Sequence, residues 1–254
     1  MKICKKNAGF SLVEMAIVLV ILGFVLTALL LPLRAQREQA ARLQTNNTLE
    51  NAKQALLGFA QANGRLPCPA IAGSGIAAPN ASGACTQQTG FLPAATLGLQ
   101  PVDAQGFALD AWNNPIRYSV AQNDINFTTG VATSNSVYTT SNGISNAGII
   151  NLSQSASLRV CASASTFATT CSAPPVSSET NYLINNAIVV IFSTGATASQ
   201  GAGSNDETEN LDADTVFVSR DLSQTAAPNE FDHLVTWISP YVLYNAMIQA
   251  GQLH

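Results

Sequence analysis

Four sets of residues in this chain could do chemistry. The first is a group of four cysteines, Cys68, Cys85, Cys161 and Cys171, in two local pairs. Their spacing is too wide for the close Cys-x2-4-Cys pairs of a zinc site. They read as two disulfides formed in an oxidising compartment. Three pairings are possible, and the local one, 68–85 with 161–171, closes the shortest loops at the lowest entropy cost. Four reduced core cysteines are the alternative. The second set is the acidic stretch from Gly203 to Asp214. Its Asp206, Asp212 and Asp214 are candidate oxygen ligands for a hard cation such as Ca2+. The spacing is not that of an EF-hand loop, and a solvated acidic loop between two strands is the alternative. The third set is the histidines, His233 and His254. A metal cluster or a Ser-His-Asp triad would rest on His233 alone, in a strand-like segment, so a structural role is expected. The glycine-rich run from Gly195 to Gly203 lacks the lysine and the following helix of a phosphate-binding loop. No enzyme is expected. The fourth is a single acid, Glu14, inside an apolar run.

That run sets the organisation of the chain. Residues 1–9 are short and basic, with Lys2, Lys5 and Lys6. From Phe10 to Leu33 only Ser11, Glu14, Gly23, Thr27 and Pro32 interrupt the apolar residues. A helix of that length, rising about 1.5 Å per residue, crosses a hydrocarbon core of about 30 Å. Lysines before it orient the N-terminus to the cytoplasm. The expectation is a single-pass inner-membrane protein with its bulk in the periplasm, in keeping with the cysteines. The run is too long for the apolar region of a secretory signal, and no Ala-x-Ala site follows it. A carboxylate inside such a helix costs several kcal/mol unless paired or neutralised. In an ordinary anchor Glu14 would snorkel toward the cytoplasm.

Here Glu14 has a specific context. Lys5-Lys6-Asn7-Ala8-Gly9 followed by Phe10-Ser11-Leu12-Val13-Glu14 resembles the leader and cleavage site of type IV pilins and type II secretion pseudopilins. The resemblance implies that a prepilin peptidase cuts between Gly9 and Phe10 and N-methylates Phe10. It implies partners as well: other pilin or pseudopilin subunits, an inner-membrane assembly platform and membrane lipid. Cleavage would leave a positive amine on Phe10. Glu14 of a neighbouring subunit could pair with it in low dielectric, where each group alone carries a desolvation penalty. Identical helices stacked in that register would build a filament.

Past Pro32 the chain turns polar, yet Leu49, Ala52, Leu56, Phe59 and Ala60 recur at helical spacing. Asn63-Gly64 supplies a stop, with Pro67 beyond. The expected fold is α+β and pilin-like. A long N-terminal helix, transmembrane then amphipathic, packs on a mainly antiparallel β-sheet head with an enlarged loop-rich insertion. The expected divisions are a leader at 1–9, a membrane half at 10–33, an amphipathic half at 34–63 and a head at 64–254. Asp110-Ala-Trp112-Asn113-Asn114-Pro115-Ile116-Arg117-Tyr118 resembles the core of the major type II secretion pseudopilin, where Trp and Pro join helix to sheet. That likeness implies structural roles for Asp110 and Trp112. The same family holds calcium in a C-terminal loop, and Asp232-His233-Leu234-Val235-Thr236-Trp237 faintly resembles its C-terminal motif.

In the head, strands are expected over 116–120, 136–140, 148–152, 158–161, 187–192, 215–218 and 233–237, with a short helix over 242–250. The segment 120–186, rich in Ser, Thr and Asn, reads as an insertion. The chain has 11 Lys and Arg against 15 Asp and Glu. Removing residues 1–9 takes away three lysines and leaves 8 against 15. Nucleic-acid binding needs clustered cations, so no nucleic-acid partner is expected. Two other roles stay open at this point. One is a minor pilin for adhesion or DNA uptake. The other is a monomeric, signal-anchored periplasmic binding protein.

Overall fold

The computed structural model describes residues 11–81, 83–122, 124–126, 131–133, 137–148, 157–163, 171, 181–201, 203–223, 225 and 229–253. Its backbone divides into two compact units, Met1–Leu43 and Gln44–His254. A single helix, α1 (Leu12–Asn63), supplies residues to both.

In the first unit α1 is almost purely apolar from Leu12 to Leu33 and polar from Arg34 on. Leu12, Ile17, Leu19, Val20 and Phe24 all expose more than half their surface, Leu12 as much as 87%. Among the described residues no helix is long and apolar enough to cross a membrane. The span expected over 10–33 includes Phe10 and the side chains of 27–33, which lie outside the described residues.

In the second unit the last turns of α1 present Thr45, Leu49, Ala52, Leu56 and Ala60 as a buried stripe at helical period. Leu49, Ala52, Leu56 and Ala60 join one core with the central strands of the main sheet. The small alanines let the sheet approach the helix. Phe59, expected in the stripe, is half-buried. The helix ends as its sequence dictates. Gly64 takes a left-handed φ of 66°, and its N–H donates to the Ala60 carbonyl at 2.8 Å. The chain then runs through Leu66, whose N–H bonds to the Tyr138 carbonyl, and Pro67, whose carbonyl accepts from the buried Tyr118 hydroxyl at 3.0 Å.

The main sheet has four antiparallel strands. They are β1 (Thr89–Phe91), β2 (Arg117–Val120), β7 (Val189–Ser193) and β9 (Leu234–Ile238), in the order β1-β2-β7-β9. Every residue of β7 is buried, as its continuous apolar run requires. Between β1 and β2 lies a short helix, α2 (Ala94–Leu97), with Leu92 and Ala94 buried. A hairpin, β3 (Asp124–Asn126) with β4 (Val131–Thr133), follows β2. A second sheet has the order β6-β5-β8, from β5 (Leu158–Cys161), β6 (Tyr182–Ala187) and β8 (Val216–Val218). Its β5–β8 pairing is parallel, and among the described residues the other strand pairings are antiparallel. Leu158 and Val160 belong to the main core, so part of the expected insertion is built into the head. The C-terminal helix α5 (Pro240–Gln249) begins with Ser239-Pro240 and buries Leu243, Tyr244 and Met247.

One strand expectation fails here, and another lies largely outside the described residues. Residues 137–140 form a turn instead of a strand, followed by a helical segment, α3, at 143–148. Gly143 explains the tight packing: a Cβ there would lie 2.3 Å from the Val137 carbonyl oxygen. The expected strand at 148–152 ends in the described residues at Gly148, the last residue of α3; 149–152 lie outside them.

Both expected disulfides form, Cys68–Cys85 and Cys161–Cys171. The second ties the end of β5 to a small satellite core of Val216, Val218 and Phe231.

Candidate functional site

Of the processing residues, Gly9 and Phe10 lie outside the described residues. Glu14 stands on the first turn of α1, where its Oε2 accepts the Ser11 N–H at 3.2 Å. A carboxylate at a helix N-terminus meets favourable orphan N–H groups. That one exposed bond leaves most of its acceptor capacity open to a cation. The surrounding side chains, Leu12, Val13, Met15, Ile17 and Val18, are apolar and exposed. The arrangement is one acid on a bare aliphatic rod, where ionic pairing would be strong once water is excluded.

The Asp110 motif is a structural clamp. Asp110 is 4% exposed. Its Oδ1 accepts the Trp112 and Asn114 N–H groups at 2.9 and 2.8 Å. Its Oδ2 accepts from the Asn114 amide at 3.2 Å and from the Ser193 hydroxyl at 2.6 Å. Asn113 takes a left-handed φ of 69° inside this turn. The Asn114 amide also reaches the Gly195 carbonyl at 2.7 Å. The Ala111 N–H donates to Thr45 Oγ1 on α1 at 3.1 Å. One turn thus joins helix, β2 and the end of β7. Asp110 and Thr45 make the connection; the Trp112 side chain is half-buried beside it.

The acidic stretch is arranged differently from its expectation. Residues Asn205–Glu209 form a helix, α4, instead of a loop. Ser204 caps it, its Oγ accepting the Glu207 N–H at 3.3 Å. Asp206 faces away from the other two candidate ligands. Its Oδ2 accepts from Arg220 Nε at 2.6 Å, and its Oδ1 from the Ser163 hydroxyl at 3.1 Å. Arg220 in turn lies over the Phe231 ring, 4.7 Å from its centroid. Asp212 and Asp214 instead converge with Glu209, their carboxylate oxygens within 4.8 Å of one another. Glu209, Asp212 and Asp214 are the hard-oxygen donors that could hold a cation here. The reason is position along the helix: Glu209 is the last residue of α4, about 4.5 Å further along the axis than Asp206, and so stands beside the Asp212–Asp214 turn. Burial pushes the Asp214 carboxyl up, with Asp212 adding repulsion.

On the other side of α4, Glu207 is 1% exposed and holds two backbone segments. Its carboxylate accepts the N–H groups of Gly203 and Asp232. Burial raises the pKa of its carboxyl, with repulsion from Asp232 and Glu230 added to it. Glu207, Asp232 and His233 form the second group of closely spaced donors. His233 is committed elsewhere. Val218 donates its N–H to Asn210 Oδ1 at 2.7 Å and accepts from Asn210 Nδ2 at 3.0 Å, which fixes the amide orientation. The same Nδ2 meets His233 Nδ1 at 3.0 Å, so Nδ1 accepts and the imidazole proton sits on Nε2. Burial, and then the Arg117 charge, lower His233 to about 3. It is a neutral core histidine between Phe192 and Phe231. Sequence reasoning missed Asn210 and Glu207. Nothing local marks Asn210, which replaces a strand partner for β8. Glu207 was findable, because Ser204-Asn205-Asp206-Glu207 has the spacing of a helix capping box.

Comparison with known proteins adds one finding. Residues 4–30 match the family model described as the prokaryotic N-terminal methylation motif. Neither the curated proteins nor the solved structures contain a match to the chain. The chain therefore carries, over residues 4–30, the prepilin-type methylation signal of type IV pilin-like and pseudopilin precursors.

Proposed function

We propose that this protein is a filament subunit, made as an inner-membrane prepilin and assembled through the N-terminal half of α1 into a type II secretion pseudopilus or a type IV pilus. The observation that carries the reading is the methylation signal at 4–30 running directly into an exposed aliphatic helix with one acid, Glu14. Prepilin peptidase removes residues 1–9 and methylates Phe10. In the membrane the aliphatic rod is covered by lipid, and in the filament by neighbouring rods. Glu14 then pairs with the Phe10 amine of an adjacent subunit, which fixes the axial register. The head stands in the periplasm, where oxidation supports both disulfides. Its role is structural: Asp110 and His233, the residues most suited to catalysis by type, are both tied into the fold.

Mass spectrometry of the protein from cells with and without prepilin peptidase tests the reading. The processed chain should begin at N-methylated Phe10 only when the peptidase is present. A mature chain that retains residues 1–9, or that starts elsewhere, would overturn it.

A further inference from the structure

Among the described residues of the head, one guanidinium on the main sheet has no carboxylate paired with it. Arg117, on β2, lies over the Phe91 ring, 4.7 Å from its centroid. Among the described residues no acidic side chain pairs with it. Burial lowers its pKa from the ordinary arginine value, and no neighbouring carboxylate offsets that. A half-buried cation held this way carries an uncompensated desolvation cost. Asp110 is held by the donors of its own turn, and Asp232 Oδ2 by the Thr197 N–H and hydroxyl; Asp232 Oδ1 is buried without a hydrogen-bond partner, and neither acid forms an ion pair with Arg117.

Arg117 lines a cleft of roughly 230 Å3 at one end of the strands of the main sheet, with Phe91, Pro115, Thr194, Leu211 and His233. Its chemistry is mixed. Phe91, Pro115 and Leu211 give apolar walls, Thr194 a hydroxyl, and His233 an imidazole whose Nε2–H is not used by Asn210. The cleft is smaller than the ~300–1,000 Å3 of sites for drug-sized molecules, so its occupant is a short group. The planar fork of a guanidinium matches a carboxylate in two parallel hydrogen bonds.

We propose that this cleft is a carboxylate-binding site, seating the acid group of a short apolar carboxylate on Arg117 with its body against Phe91, Pro115 and Leu211. The source is either the C-terminal residue of a peptide or a free N-acylated amino acid, which share this chemistry. The site is independent of the assembly reading, since none of its residues belongs to α1.

Titration calorimetry on the full chain in nonionic detergent tests it. The probes are N-acetyl-L-alanine, its amide, a tetrapeptide ending in a free alanine carboxylate, and the same tetrapeptide as C-terminal amide. The acids should bind saturably, and each amide roughly ten to a hundred times more weakly, as loss of a charge-assisted hydrogen bond implies. Arg117→Gln should bring the acid down to the level of its amide and leave the amide unchanged. The wild-type acid-to-amide comparison needs no variant, so it decides the matter even if Arg117→Gln unfolds. Tighter binding of the free tetrapeptide than of N-acetyl-L-alanine assigns a peptide end as ligand, and the reverse assigns a small acid. Equal binding of acid and amide, or no saturable binding by either acid, overturns the proposal.

Discussion

Replacing Asp110 with alanine should destabilise the head by about 3–4 kcal/mol. A hydrogen bond to a charged group contributes about 1.5–3 kcal/mol, and a buried donor left unpaired costs about 1–3 kcal/mol. In the Asp110→Ala chain the fully buried Ser193 hydroxyl loses its acceptor, while the half-buried Trp112 and Asn114 N–H groups can turn partly to water. The bonds share one turn and are not additive, which keeps the total below their sum. Asp110→Asn is the informative companion. It keeps an oxygen for the two N–H groups and sets an amide against Asn114, a second donor, so its loss should be about 1–2 kcal/mol. Against a typical stability of 5–15 kcal/mol the alanine change is large. Urea unfolding of the full chain in nonionic detergent, followed by fluorescence of Trp112 and Trp237, reads both variants. If Asp110→Ala stays within about 0.5 kcal/mol of wild type, or Asp110→Asn is equally damaging, Asp110 is not the clamp described.

Acid should weaken the head in a defined window. His233 has a folded value of about 3, below its ordinary 6.5. Its contribution is present above pH 6.5 and is lost as pH falls from about 6.5 toward 3. Glu207 and Asp214, raised by burial, act in the opposite sense near the ordinary carboxylate range, so the fall should begin above it. Unfolding midpoints between pH 7 and 4, for wild type and His233→Phe, check this; the same slope in both would contradict it. Removing Cys68–Cys85, which closes a separation of 17 residues, should cost about 3 kcal/mol on the chain-entropy account. Urea midpoints of the Cys68→Ser/Cys85→Ser chain measure it, and an unshifted midpoint would count against that account.

Much of the fold is legible wherever a pattern is local. The stripe of Leu49, Ala52, Leu56 and Ala60 follows from the helical period, and the apolar run at Val189–Ser193 from full burial on both faces. Asn63-Gly64 marks the helix end because only a residue tolerant of positive φ fits there. The cysteine pairs are local and so are their bonds. What escaped depends on distant partners. Val137-Tyr138-Thr139 has β-type residues, yet its place is set by Gly143 and by the Tyr138 carbonyl that receives Leu66. The parallel β5–β8 pairing joins segments far apart in sequence, and no local signal encodes it. In the acidic stretch, composition suggested a cation site, but α4 carries Glu209 at its end to the Asp212–Asp214 turn, while Asp206 is held by Arg220 and Ser163. Arg117 gave no sign in sequence, because the absence of a counter-ion is visible only in three dimensions.

The central claim is that Glu14 sets the register of subunits packed through their N-terminal helices. The most direct measurement is the fraction of subunit in sedimentable filaments from cells carrying Glu14→Ala, with cleavage followed in the same samples. Cleavage after Gly9 should continue while the assembled fraction collapses. An assembled fraction equal to wild type would contradict it and would favour a monomeric anchored protein.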